Sequence, residues 1–440
     1  MKILFVIYDN ESTNAIMPLG ITYVAAYAKQ EGHEITYYCQ DVYHYPEEHL
    51  TQYLNENHFD VVAMGFCAGY YQHIKIKKIC KAIKASKDAP FIVLGGHGPS
   101  PDPDYWIEHT GADAVVIGEG EISFADLLNN PRRGGIRTEY PTDLDAIPFP
   151  YVDPLPMENY IKSTYLTSSL DRGIGMVSGR GCPYHCNFCY RLEDGIRFRS
   201  AQNIVEEIQK RKRDWNINFV WFWDELWMAS EKRAFELSEA FLSADLDVRF
   251  FCTGRLNIVN ERILGIMKRA GCVAIDYGIE QYDNNALQAM NKRLTEEQIE
   301  KGIQITLASG IQPLFNIIWG NVGDTIESLN KSMAFLEKYN DYGQLRVIRP
   351  VTPYPGSPLF DTCVSRGLLK DSADFYEKHK NLELMTVNMT DIPDDRFYAC
   401  IFDANKKIIR DYHNHEIDEN IKAFRRVYFE GDYSYRGARH

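Results

Sequence analysis

The sequence predicts an α/β chain with two consecutive parallel sheets: a doubly wound sheet, then an incomplete β/α barrel, then a mostly helical C-terminal region. Three observations carry this. Short apolar runs rich in Val, Ile and Phe recur from the N-terminus to about residue 350. Stretches with helical apolar periodicity separate them, and strands alternating with helices pair in parallel. Glycines stand at the ends of many of the runs, where strands hand over to loops.

KILFVIY opens the chain as a buried strand, and Gly20 to Gln30 follows as an amphipathic helix ended by Gly32. EITYYCQ, VVAMGF, FIVLGG and AVVIGEG are the next four strands, with helices such as HIKIKKICKAIKAS between them. Residues 1–137 therefore read as a Rossmann-like domain. No GxGxxG follows the first strand, which disfavours a dinucleotide. Residues 138–172, with IPFPYVDPLP, read as a linker. In residues 173–352 the strands are IGMVSG, NFVWFW, VRFFCTG, CVAIDYGI, QPLFNIIWG and QLRVIRPV, with a helix from Ala201 to about Arg213. Six such units suggest a partial (β/α)6 barrel, whose reactive edge is the carboxyl end of its strands. Residues 353–440 form a third, mostly helical region expected to close the barrel and shape substrate selection.

The chain has 440 residues, 45% hydrophobic, and a net charge of -13. An acidic chain repels phosphate backbones, so nucleic acid is not an expected partner. RKRDW at 211–215 reads as a solvated helix face. No run of ~18 apolar residues suggests a membrane span. MKILFVIYDNES reads as a strand and not as a signal peptide. Seven of the ten cysteines are scattered in apolar or helical contexts. That is the pattern of free thiols, which places the protein in a reducing cytoplasm.

The other three, Cys182, Cys186 and Cys189, lie in SGRGCPYHCNFCYR. Three thiolates at this spacing can hold three irons of a 4Fe–4S cluster, whereas electron-transfer clusters take four cysteines. The fourth iron is then open to substrate or cofactor. The spacing departs from the paired CxxC of structural zinc sites. The alternative is a three-cysteine zinc site completed by His185 or another residue.

With Phe188 before the third cysteine and Gly179 and Gly181 before the first, this run resembles the cluster loop of the radical S-adenosylmethionine (SAM) superfamily. PLGITYVAAYAKQEGHEI, LGGHGPSPDP and GADAVVIGEGE resemble the N-terminal cobalamin-binding domain that many radical SAM enzymes carry. Together they match the cobalamin-dependent radical SAM methylase subgroup over almost the whole chain. The resemblance implies three cofactors: a 4Fe–4S cluster, SAM and cobalamin. It assigns Gly65, Gly69, Gly95, Gly96, Ser100, Gly118 and Gly120 to cobalamin, with a side chain at Gly96 expected to strike its nucleotide tail. The motif Asp-x-His-x-x-Gly is missing; YDNESTNAIMPLG stands there, so no histidine of that motif can ligate cobalt. The competing reading of this domain is a scaffold that has lost its cofactor.

For SAM the resemblance offers Asp224 after the second barrel strand, with a helix N-cap as its alternative role. Arg255 after the third strand could pair with a carboxylate, or form a surface salt bridge. Glu280 ends the fourth strand in YGIEQYD, and Gly320 lies in the turn IIWGNVGDT, where Asp324 is a candidate helix cap. TPYPGSPLF is expected to fix a loop over the barrel mouth. No residue is assigned to the chemical step itself. The implied activity is radical methylation of carbon or phosphorus in a small-molecule substrate, with an external electron donor such as flavodoxin or ferredoxin. The alternatives are a non-methylating cobalamin-assisted reaction (oxidative cyclisation or ring contraction), a cobalamin-independent radical SAM reaction, and a non-catalytic iron–sulfur sensor.

Overall fold

The computed structural model describes residues 1–12, 15–67, 69–162, 171–378 and 387–432. Six strands build the first sheet: β1 (Lys2–Ile7), β2 (Glu34–Cys39), β3 (Val61–Gly65), β4 (Phe91–Gly95), β5 (Ala114–Val116) and β6 (Gly134–Ile136). All pairs are parallel, in the order β2-β1-β3-β4-β5-β6. The order reverses between β1 and β3, and ligands of such sheets bind at the carboxyl ends beside that reversal. Ile3, Leu4 and Val6 are fully buried, as expected of a strand covered on both faces. β6 falls in GGI, which carries too short an apolar run to be read as a strand.

The second set of strands is β7 (Gly173–Met176), β8 (Gly179–Cys182), β9 (Gly195–Phe198), β10 (Phe219–Phe222), β11 (Arg249–Gly254), β12 (Cys272–Glu280), β13 (Gln312–Trp319) and β14 (Arg349–Pro350). The order β14-β13-β12-β11-β10-β7 gives the six strands of a partial (β/α)6 barrel. QLRVIRPV supplies only two strand residues; its paired stretch ends at Pro350, which has no backbone N–H to extend a ladder. β8 and β9 form a separate antiparallel hairpin around the cysteine loop.

The chain divides into two compact units. The first comprises Met1–Gly278, Glu297–Leu314 and Thr352–Val387; the second comprises Ile279–Glu296, Phe315–Val351 and the chain from Asn388. Within the first, the helix Ala201–Trp215 corrects the reading of RKRDW at Arg211, while Arg213 and Asp214 are exposed as that reading expects. Arg211 is buried, its guanidinium 3.4 Å from Glu207 and donating to the Pro150 carbonyl at 2.8 Å. Glu207 also pairs with Arg199 at 2.7 Å, so two buried cations share one carboxylate. The second unit carries the helix Asp394–Glu430, which buries Phe397, Ile401 and Ala404. Asn405 ties it to Ile348 by two hydrogen bonds, at 2.8 and 2.9 Å.

Candidate functional site

A cavity of about 540 Å³ lies at the carboxyl edge of the first sheet, within the first unit. Its floor is made by the ends of β3, β4 and β5, including Gly65, Gly95, Gly96 and Gly118, with Gly120 at the start of the helix Gly120–Asn129. The opposite wall is the hairpin β8–β9 and the residues after β10: Gly179, Arg180, Gly181, Glu193, Arg197, Trp223 and Glu225. The lining is predominantly apolar, as in most cofactor sites.

The glycines serve different ends. A Cβ on Gly95 would meet only Val116, at 3.7 Å, so its protein neighbours do not demand a glycine and a larger side chain would extend into the cavity. Gly96 differs: its φ is +95, and an added Cβ would lie 2.7 Å from the Phe66 carbonyl oxygen. The obstacle to a side chain at Gly96 is thus the chain's own backbone, before any nucleotide tail. Gly95→Val is therefore expected to lower cobalamin uptake severalfold with the unfolding midpoint nearly unchanged. Gly96→Val should lower both. Cobalamin content by mass and a urea titration check the pair.

Ser100 braces two of these loops. Its hydroxyl donates to the Gly96 carbonyl at 2.7 Å and accepts from the Gly118 amide at 3.1 Å. Gly69 stands at the start of the helix Tyr70–Lys84, its carbonyl accepting from the His73 amide at 2.8 Å. Cys67 and His97 line the cavity, and sequence reasoning did not single them out. Burial lowers the His97 pKa, which favours the neutral imidazole, and the ring stands edge-on to Tyr190.

The cysteine loop is held at both ends. β8 and β9 pair Cys182 with Gly195 and Gly181 with Ile196. Gly181 has φ +88, and a Cβ there would strike the Gly195 carbonyl, so the close approach requires glycine. Cys186 is buried, Cys182 half-buried and Cys189 exposed. Burial pushes the Cys182 thiol up; nearby Glu225 and Cys186 raise it further, and Arg255 opposes them. Among the described residues, no three His, Cys, Asp or Glu side chains converge on a point that could hold one metal ion. Cluster cysteines each bind a different iron and do not need to converge in this way. A chelated cluster would draw on Cys182, Cys186 and Cys189, whose loop reaches from the hairpin in the cavity wall.

Asp224 is buried, and its carboxylate accepts from the Ser178 amide and hydroxyl, the latter at 2.6 Å. It thereby fixes the residue just before β8, while burial raises its pKa to about 6. Helix Glu231–Ser243 is capped by Ser230, so Asp224 is not a cap. Arg255 is also buried, not on the surface. Its guanidinium lies 3.7 Å from the centre of the Tyr184 ring in the cysteine loop. The TPYPGSPLF segment packs on the same loop: Leu359 N–H donates to Asn187 at 2.8 Å, and a Cβ on Gly356 would meet Tyr190 at 2.7 Å.

In the second unit, Glu280 has φ +69, an uncommon backbone conformation for a residue with a side chain. Its carboxylate pairs with Lys292 at 3.0 Å. Gly320 has φ +108, and an added Cβ would lie 2.8 Å from Phe397, so packing accounts for this glycine. Asp324 does not cap the following helix; Thr325 does, in a capping box with Ser328. Asp324 instead accepts from the Gly320 and Asn321 amides at 2.8 and 2.9 Å, stapling the turn. Among the described residues, no helix is long and apolar enough to cross a membrane.

The sequence matches the B12 binding domain over residues 6–128 and the radical SAM superfamily over residues 176–336. It is 28% identical over 400 residues to an uncharacterized methyltransferase of Pyrococcus horikoshii, covering 84% of each chain. It is 24% identical over 392 residues to the anaerobic magnesium-protoporphyrin IX monomethyl ester cyclase of Rubrivivax gelatinosus, covering 82% of this chain and 69% of that one. The fold is that of the radical SAM methyltransferase TsrM from Kitasatospora setae: TM-score 0.64 at 17% identity, over 83% of this chain and 78% of TsrM. The two matched domains set the cofactors, cobalamin for the first and SAM with its iron–sulfur cluster for the second. With the glycine-lined sheet edge in one matched domain and the cysteine hairpin facing it from the other, the chain belongs to the cobalamin-dependent radical SAM enzymes.

Proposed function

We propose that this chain is a radical methylase that places a methyl group on carbon or phosphorus of a small-molecule substrate. One observation carries the reading: a single cavity is walled on one side by the glycine loops of the B12 binding domain and on the other by the hairpin bearing the cluster cysteines. Methyl transfer through cobalamin and radical formation from SAM are the chemistries these groups supply. The chain's own part is positional. Gly95 leaves room at the cavity floor, Asp224 fixes the approach to the hairpin, and Arg255 with Tyr184 holds the loop. Asp224, Arg255, Glu280 and Gly320 are all proposed to face SAM on the resemblance alone. The electron is proposed to come from a flavodoxin- or ferredoxin-type donor, in the cytoplasm.

The likeness to the monomethyl ester cyclase favours a second reading, a radical reaction without methyl transfer. Incubating reduced holoprotein with deuterated-methyl SAM and a small-molecule extract of the producing cell separates the two. A labelled small-molecule product is the expected result. 5′-Deoxyadenosine formed in an extract-dependent way without labelled product would favour the second reading.

A further inference from the structure

The helix Asp394–Glu430 changes character along its length. Its first turns are buried through Phe397, Ile401 and Ala404, and His415 still stacks on Tyr342 at 3.7 Å between ring centres. Beyond Ala404 no residue of the helix is buried. Yet Ile417, Ile421, Phe424 and Tyr428 are large apolar residues at successive spacings of four, three and four. They are 54%, 61%, 46% and 70% exposed. This is the seam spacing of a coiled coil, and four such residues on one face exceed what isolated surface apolar residues explain.

The charges along the same stretch are segregated. Within the seam, Asp418 and Glu419 occupy the first half and Lys422, Arg425 and Arg426 the second, with Lys422 paired to Glu419 on its own helix at 2.7 Å. A parallel copy would set like charges side by side. An antiparallel copy sets each half against its opposite. With Ile421 against the partner's Phe424, Ile417 falls against the partner's Tyr428, and the two-fold axis repeats both layers. In that register the positions flanking the seam bring Asp418 to the partner's Arg425, again twice by symmetry.

We propose that residues 417–428 pair with the same segment of a second copy of this chain, antiparallel, forming a homodimer closed by this helix. The seam supplies four apolar layers, and the segregated charges select the antiparallel orientation.

Sedimentation velocity of the 440-residue, cluster-loaded protein tests this directly. A species of twice 50.7 kDa is expected. Ile421→Asp with Phe424→Asp lies on exposed positions and should leave the unfolding midpoint unchanged while weakening association roughly a hundredfold. Asp418→Arg alone, or Arg425→Asp alone, opposes like charges across the pair and should weaken association about tenfold. The combined swap should restore it, which a parallel pair would not show. Three results would overturn the proposal: a monomer at all concentrations, a dimer indifferent to the Ile421/Phe424 change, or no rescue by the double swap. A monomeric wild-type chain that sediments with phosphatidylserine vesicles through Phe424 would assign the face to a membrane surface instead.

Discussion

Replacing Cys182, Cys186 and Cys189 together by alanine is expected to take the reconstituted protein from about four irons to none and to abolish 5′-deoxyadenosine formation. The first sheet should remain folded. Cys182 ends β8 and the other two thiols sit in the loop that follows, all outside the parallel sheets, and the hairpin is held by backbone pairing and by glycines, not by sulfur. Removing the thiols therefore removes ligands without removing core. Only Cys186 is buried, so the packing loss is limited to one small side chain. Iron and sulfide analysis, SAM cleavage under reducing conditions and far-UV circular dichroism read the three consequences separately. Full iron content in the triple variant would remove these residues from the cluster. Loss of the circular dichroism signal would show instead that the loop is needed to fold.

The sheets were legible because each strand announces itself locally. LFVI, VVAM and FIVL are short apolar runs bounded by turn residues, and the helices between them leave parallel pairing as the simple arrangement. The cysteine triplet was legible because ligand spacing is a local property. What escaped was long-range or conformational. The hairpin β8–β9 joins GRGC to GIRF across twelve residues, and neither stretch has an apolar run. Arg211 looked solvated because the sequence does not say that Glu207, one turn back, is buried with it. Asp224 and Asp324 both precede a helix in sequence, but the caps went to Ser230, six residues beyond Asp224, and to Thr325, the residue after Asp324. The positive φ of Glu280 is invisible in sequence, since nothing but the fold requires it. Glu119 and Glu121 were noted only as part of a loop motif, and their partners lie some sixty to eighty residues away.

Those two carboxylates carry the second large expected effect. In the hairpin register Arg180 lies directly opposite Arg197, and like charges so placed repel. Glu119 resolves the conflict: it accepts from Arg180 at 2.8 Å and also pairs with Arg197, while Glu121 takes the second arm of Arg180 at 2.6 Å. All four side chains are largely shielded, at 18% exposure or less. Glu119→Gln keeps the volume and removes the shared negative charge, leaving Arg180 with Glu121 alone and Arg197 facing it without the carboxylate they shared. Breaking such a shielded network by deleting one partner costs about 3 kcal/mol. A clear fall in the urea midpoint is expected, together with loss of cobalamin retention, because Arg180 and Arg197 both line the cavity. Arg197→Met in the Glu119→Gln background removes the repulsion as well as the attraction. It should recover part of both losses, so the double variant should be less impaired than the sum of the single changes. Strict additivity, or an unchanged midpoint in Glu119→Gln, would mean that the hairpin is held in place by its backbone and glycines alone.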